Sequence, residues 1–417
     1  MGRYTEPLGF STLFPFCGLP LRVDPYRGCG FSCSYCFAHA RESTEGTPQV
    51  QAADAGLLTR YFRRVFDEQR TDLSIVTKCI RQRIPLQLGA MGDPFQPAEQ
   101  RHRVTLSYLR ATLAYEYPIV INTRGTLVAE SPYLEILKAH RHAVVRMSLS
   151  TTEDARSSLI EQQLVRPSSV LRTMERVSAA GVRVACRWQP FVPGVSEEPE
   201  TFASRVAATG CRQCSFEFLR LPRERRPQLI AGFYKATGEN IYRHYRALEA
   251  RHQVREYILP PEERIPMILR ARRAIRAEGM RFGAADNDLQ YLSDDACCCS
   301  GVDAVPGFER FFKHQIAYAV RNNFGNAITY AAIRHEWTPS GSVDRYLNSA
   351  RRIGSRIGRT ATVREHIKRR WNTSGLEGSP DSFFGVEPTS ERTPDGMRVY
   401  RWNPPKIAAL RQKINAE

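Results

Sequence analysis

The chain has 417 residues, 60 Lys and Arg against 43 Asp and Glu, a formal net charge of +17, 42% hydrophobic residues and 11 cysteines. That composition excludes an intrinsically disordered chain and allows one large α/β barrel with an appendage, or two or three smaller domains. No apolar run reaches the ~18–20 residues needed to cross a bilayer, and the first ten residues lack the charged-then-apolar pattern of a signal peptide. The expectation is a soluble, cytoplasmic protein with no membrane partner. An odd cysteine count argues against a disulfide framework, so the thiols are left for metal binding, radical or redox chemistry, or packing.

In chain order, short β-type runs fall at 21–24, 85–90, 118–122, 143–150, 182–190 and 215–221. Between them, apolar residues at helical spacing predict helices at 53–66, 103–115, 168–180 and 202–209. Gly181 directly follows the third of these, where a helix stop belongs. A longer helical region is expected at 228–278 and a further strand at 280–284. Repeated strand–helix alternation implies a parallel sheet with right-handed crossovers, closed or partly closed as a (β/α) barrel. Function in such folds gathers at the C-terminal ends of the strands.

After Gly301 the character changes, and a domain boundary is expected there: 1–301 as the barrel and 302–417 as a basic, mainly helical domain. Helices are predicted at 308–333 and 342–370, a loop at 372–393, then a strand at 397–402 and a helix at 404–414. Residues 310–417 hold 19 Lys and Arg against 9 Asp and Glu. The clusters are Arg351, Arg352, Arg356, Arg359, Arg364 and Lys368, Arg369, Arg370, with Trp371 and Trp402 nearby. Basic residues interleaved with aromatics suit a polyanion, by counterion release and base stacking. A solvated helix face is the plain alternative.

The strongest chemical signal is Pro25-Tyr26-Arg27-Gly28-Cys29-Gly30-Phe31-Ser32-Cys33-Ser34-Tyr35-Cys36-Phe37, on the loop after the first predicted strand. Three thiolates at this spacing can reach three irons of one 4Fe–4S cluster and leave the fourth iron without a protein ligand. The alternative is a structural zinc site, which needs a fourth ligand such as His39 or a distant cysteine. Tyr35 and Phe37, either side of Cys36, suit shielding and cofactor stacking.

These residues resemble the radical S-adenosylmethionine (SAM) superfamily, and within it the group of spore photoproduct lyase and "DNA repair photolyase". The resemblance rests on Pro25-Tyr26-Arg27-Gly28-Cys29, on Asp93-Pro94-Phe95-Gln96-Pro97-Ala98-Glu99, on Ser148-Leu149-Ser150-Thr151-Thr152 and on Pro190-Phe191-Val192-Pro193-Gly194. It covers about residues 15–300. It implies a 4Fe–4S cluster on Cys29, Cys33 and Cys36, with SAM on the free iron. Reductive cleavage of SAM would then give a 5′-deoxyadenosyl radical, with an electron donor such as flavodoxin or ferredoxin. It also implies that Gly92 and Asp93 meet the SAM amino group, that Arg124 pairs its carboxylate, and that Ser148 and Ser150 bond its ribose. The chain departs from the spore enzymes at Leu88-Gly89-Ala90-Met91-Gly92-Asp93, where their hydrogen-donor cysteine is missing.

Cys297, Cys298 and Cys299 are consecutive, and with Cys211 or Cys214 could form a second metal site, supply a radical hydrogen donor, or simply pack. Tyr26, Tyr35 and Tyr291 are candidate radical relays or packing aromatics. The function these features favour is modification, isomerisation or repair of a nucleic-acid base, DNA above all, by a lyase or isomerase. The rival is a radical SAM enzyme acting on a protein, peptide or small metabolite, with 302–417 as a docking module.

Overall fold

The computed structural model describes residues 4, 6–11, 17–31, 33–36, 38, 50–71, 74–161, 165–253, 255–294, 297–342 and 361–415. Its strands, in chain order, begin with β1 (Leu8–Phe10), β2 (Leu21–Val23), β3 (Tyr26–Arg27), β4 (Gln51–Ala52) and β5 (Leu86–Leu88). They continue with β6 (Ile119–Thr123), β7 (Ala143–Leu149), β8 (Arg183–Phe191), β9 (Gln213–Phe218) and β10 (Leu221–Pro222). The remainder are β11 (Arg251–Gln253), β12 (Glu256–Ile258), β13 (Arg281–Ala284), β14 (Val386–Arg392) and β15 (Arg398–Trp402).

One eight-stranded sheet organises the molecule, in the order β1-β2-β5-β6-β7-β8-β9-β13. Every pair from β2 onward is parallel, while β1 lies antiparallel on β2. The inner strands are covered on both faces, so even their polar residues are largely buried: all five residues of β6 and all six of β9 are buried. The seven predicted strands are all present. The sheet is open, however, because no pairing joins β1 to β13, so the complete-barrel alternative gives way to a partial one. The added edge strand β1 was not foreseen; three residues carry no usable alternation.

Crossover helices follow the apolar spacing. In Pro167–Ala179, Val170, Thr173, Met174 and Val177 form the buried stripe, Pro167 starts the helix, and Gly181 leaves it at φ +81°. The predicted helical region 228–278 is broken into Pro227–Thr237, Ile241–Ala247, the β11–β12 hairpin and Pro261–Ala277. Gly238, at φ +75°, ends the first piece.

Beyond Gly301 the mainly helical expectation is corrected. The predicted helix 308–333 is helical in Ile316–Asn322, with single 3-10 turns around it. Part of the predicted loop 372–393 is β14, which pairs antiparallel with β15 as a hairpin. Val363–Asn372 and Pro404–Asn415 are helices. Of the predicted basic helical stretch 342–370, residues 343–360 lie outside the described residues and 363–370 fall in the helix Val363–Asn372. This region packs onto the sheet unit: Trp402 lies 5.1 Å from Tyr291 and 4.9 Å from Phe324, ring centre to ring centre, and Tyr291 donates to the Phe384 carbonyl at 3.0 Å. No helix among the described residues is long and apolar enough to cross a membrane.

Candidate active site

The cysteine loop leaves the sheet just after β2 and is pinned at both ends by the antiparallel β3–β4 pair, where Tyr26 faces Ala52 and Arg27 faces Gln51. Inside the loop, Gln96 acts as a two-point clamp. Its Nε2 donates to the Gly28 carbonyl at 3.0 Å, and its Oε1 accepts from the Gly30 N–H at 2.8 Å. Gly92 backs the same segment: a Cβ there would stand 3.0 Å from the carbonyl oxygens of Tyr26 and Gly28. Beneath the loop, Asp24 at the end of β2 accepts from the N–H groups of Ala90, Met91 and Gly92 at 2.7, 2.7 and 3.4 Å. Glu99 is fully buried and takes four donors: the Tyr26 and Tyr133 hydroxyls and the N–H groups of Thr105 and Leu106. Such a carboxylate needs every one of those bonds to offset its desolvation. Asp24 and the two roles of Gln96 and Glu99 escaped sequence reasoning, although the last two sit in the 93–99 motif.

Cys29, Cys33 and Cys36 are free thiols, each half-buried. Cys33 and Cys36 line a cavity of about 510 Å³ on one face of the sheet. Strand residues at alternating positions make its wall: Arg22, Gln87, Arg146, Ser148, Arg187 and Gln189. Burial pushes the Cys29 thiol up to about 12, with Asp93 adding to it. Burial also raises Cys33, against the pull of Arg124. Among the described residues, no group of three or more Cys, His, Asp or Glu side chains is already drawn together as a metal site. The donor chemistry nevertheless fits a soft, thiolate-bound metal group: three thiols on one short loop, two of them opening on a cavity.

The remaining predicted residues divide. Gly92 is at the loop, as described. Asp93 is spent on the chain itself: its Oδ1 accepts from the Phe95 N–H and the Thr123 hydroxyl at 2.8 and 2.6 Å, and its Oδ2 from the Arg124 N–H at 2.8 Å. It ties the ends of β5 and β6 together. Arg124 lines the cavity but is engaged, with Nη1 on Glu161 at 2.9 Å and Nη2 on the Tyr35 hydroxyl at 2.8 Å. Tyr35 also bonds Glu161. Burial pushes the Glu161 carboxyl up, but Arg124 and donors from Ser157 and Tyr35 outweigh it, so it rests below the usual carboxylate range. Ser148 is on the cavity wall; Ser150 is buried behind it, its carbonyl accepting from Trp188 Nε1 and the Ser196 hydroxyl. Phe37 and His39 lie outside the described residues.

No family model matches the chain. An uncharacterized protein of Mycobacterium tuberculosis, Rv2578c, is 26% identical over 261 residues, which is 59% of this chain and 71% of that protein. A counterpart in Mycobacterium bovis, Mb2609c, gives the same figures. Among solved structures, spore photoproduct lyase complexed with dinucleoside spore photoproduct matches at 13% identity and TM-score 0.48, over 67% of this chain and 80% of that one. SuiB of Streptococcus suis bound to S-adenosylmethionine matches at 15% identity and TM-score 0.36, over 49% of this chain and 41% of that one. The chain is similar to spore photoproduct lyase.

Cys297, Cys298 and Cys299 form a turn held against the sheet by their own carbonyls. The Cys299 carbonyl accepts from Arg146 Nη1 at 2.6 Å, the Cys298 carbonyl from Gln213 Nε2, and Gly283 and Gly301 have no room for a Cβ without crowding this turn or its neighbours. Cys298 Sγ is 3.0 Å from both the Ser300 hydroxyl and its N–H. Cys297 is buried, while Cys299 opens on the cavity with Cys17. Cys211 and Cys214 cluster instead with Cys186 in the core, which accords with packing. Tyr26 and Tyr291 are buried and hydrogen-bonded as packing aromatics. Trp371 and Trp402 require correction: both are buried, with indole N–H groups on the carbonyls of Arg398 and Asn323, so neither offers a stacking face. Arg370 is buried too, whereas Arg364, Lys368 and Arg369 are exposed. Arg351, Arg352, Arg356 and Arg359 lie outside the described residues.

Proposed function

We propose that the chain is a radical SAM enzyme that modifies, isomerises or repairs a nucleic-acid base, with DNA favoured over RNA. The observation that carries the reading is the cysteine loop itself: clamped by Gln96, seated on Gly92, and presenting Cys33 and Cys36 to a cavity walled by one face of the parallel sheet. Cys29, Cys33 and Cys36 would hold a 4Fe–4S cluster. When bound, the cluster with SAM supplies reductive cleavage of the sulfonium and hydrogen abstraction from substrate. The chain's own part is to orient and to exclude water. Ser148 offers a hydroxyl toward the SAM ribose. Arg124 reaches a carboxylate only by sharing with Glu161, so the Arg124–Glu161–Tyr35 cluster fixes the guanidinium beside Cys33 rather than leaving it free. A flavodoxin or ferredoxin would bring the electron.

Nucleic acid is supported by net charge +17 and by the exposed Arg364 and Lys368 on the helix Val363–Asn372, within a module that we place after Gly301. A duplex base would have to be extruded to reach the cavity. The rival substrate, a protein, peptide or small metabolite, is favoured by one observation: the two tryptophans expected to stack bases are buried.

Reduced, iron-loaded protein incubated with SAM and candidate nucleic acids should yield 5′-deoxyadenosine and an altered nucleoside by mass spectrometry. Simultaneous replacement of Cys29, Cys33 and Cys36 by Ala should abolish both while far-ultraviolet circular dichroism is unchanged. Retained SAM cleavage in that variant would refute the assignment.

A further inference from the structure

Two of the five guanidiniums lining the cavity, Arg146 and Arg187, have no carboxylate to themselves among the described residues. Three of its guanidiniums are answered: Arg22 by Asp24 at 2.7 Å, Arg124 by Glu161 at 2.9 Å, and Arg220 by Glu217 and Glu256 at 3.2 and 3.6 Å. Arg187 reaches Glu217 at 3.3 Å, a carboxylate already shared with Arg220, and its buried Nε has no hydrogen-bond partner among the described residues. Arg146 is 3% exposed and forms no ion pair among the described residues. Its bonds go to neutral acceptors, Asn122 Oδ1 at 2.7 Å and the Cys299 carbonyl at 2.6 Å. A neutral side chain would make the same tie without a desolvated charge, which costs several kcal/mol when uncompensated. Burial and the neighbouring Arg187 both push Arg146 toward its neutral form, yet a guanidinium does not give up its proton in a protein.

The thiols in the same corner register the same field. Cys299 is held down to about 6 by its Cys298 hydrogen bond, against burial, and by Arg146 and Arg187. Cys17, beside it, is pushed up to about 11 by burial and then by Cys299. A thiolate answers a guanidinium at a single point, whereas the planar fork is matched by two oxygens of one oxyanion. Ser148 and Gln189 add neutral hydrogen-bonding groups on the same wall.

We propose that the Arg146–Arg187 corner is an oxyanion subsite that seats a phosphate or carboxylate group of the substrate. The word substrate rests on the reading above; the anion site itself rests on the geometry of two neighbouring guanidiniums on the cavity wall, neither with a carboxylate to itself among the described residues.

The test is calorimetric titration of the full chain, free of iron and SAM, with inorganic phosphate and separately with acetate at low ionic strength. One of the two should bind saturably, one per chain. Arg146→Gln should weaken it about tenfold or more, as loss of a charge-assisted bond requires. Arg110→Gln, on the exposed face of the helix Val104–Ala114, should leave it unchanged and so separate the site from general attraction to a basic protein. Arg187→Gln should repeat the loss, and serves where Arg146→Gln fails to fold. Preference for phosphate identifies a phosphorylated substrate, nucleotides included, and preference for acetate a carboxylated one. Non-saturable binding, or binding untouched in both cavity variants, overturns the subsite. Displacement of the anion by SAM would assign the corner to the cofactor and overturn it as a substrate site. Failure here with SAM cleavage intact leaves the enzyme reading standing; failure of SAM cleavage with anion binding intact does the reverse.

Discussion

Gln96 fixes the cysteine loop from outside, by bonding the backbone on both sides of Cys29. Gln96→Leu keeps the volume and removes both bonds; the exposed Gly30 N–H can turn to water, but the buried Gly28 carbonyl is left unpaired at a cost of about 1–3 kcal/mol. The expected result is lower iron per chain after reconstitution and faster alkylation of Cys29 in the metal-free protein; no change in either would deny Gln96 this role. At the other end of the cavity, Cys299 should be thiolate at neutral pH. Because its pKa is held down to about 6, alkylation by iodoacetamide should rise with pH through that value, while Cys17, raised to about 11, stays a thiol and reacts slowly. Cleavage and mass mapping after timed labelling would read this out, and a Cys299 midpoint near 8.5, the free-thiol value, would contradict it. The three loop cysteines could be picked from spacing alone, because a metal-ligand triple is local in sequence. The partners of Arg124 could not. Glu161 lies 37 residues away and belongs to no motif, so only the folded chain shows that this guanidinium is already engaged.

At the scale of elements, the β3–β4 clasp and the turn at 90–93 are pressed together through glycine. Gly92→Ala would bring a methyl to 3.0 Å from two backbone oxygens that cannot retreat without opening the clasp. A loss of about 1–3 kcal/mol is expected, from overpacking against backbone. Gly30→Ala in the same loop meets nothing closer than 3.6 Å and should cost much less. Denaturant midpoints of the two variants decide the matter; equal losses would mean that the loop is not clamped against 90–93. The parallel strands were readable because each holds a short apolar run, as at 119–121 in β6 and 184–186 in β8, set between helical patterns. The hairpin β14–β15 was half hidden by Gly, Ser, Pro and Thr, residues that signal turns whenever strand pairing is out of view. In the same way, Gly238 breaks a pattern that apolar spacing carries straight through.

For the whole molecule, charge and packing separate what composition had joined. The two tryptophans near the basic run belong to the core, with Trp371 against Tyr400 and Trp402 against Tyr291, so among the described residues binding of a polyanion would rest chiefly on exposed Arg and Lys. Affinity of the full chain for DNA should therefore fall steeply with salt and show little preference among single-stranded base compositions. Lys368→Gln should lower the slope of log affinity against log salt by about 1 while leaving SAM cleavage intact. Absence of binding at low salt would shift the substrate to a protein, peptide or metabolite. The central claim, three cysteines leaving one iron for SAM, is tested most directly by electron paramagnetic resonance of the anaerobically reconstituted, reduced protein before and after SAM is added. A reduced 4Fe–4S signal that changes on addition of SAM, and is absent from the Cys29, Cys33, Cys36 triple-Ala variant, is predicted. A signal indifferent to SAM, or a colourless protein that carries zinc in place of iron, would contradict it.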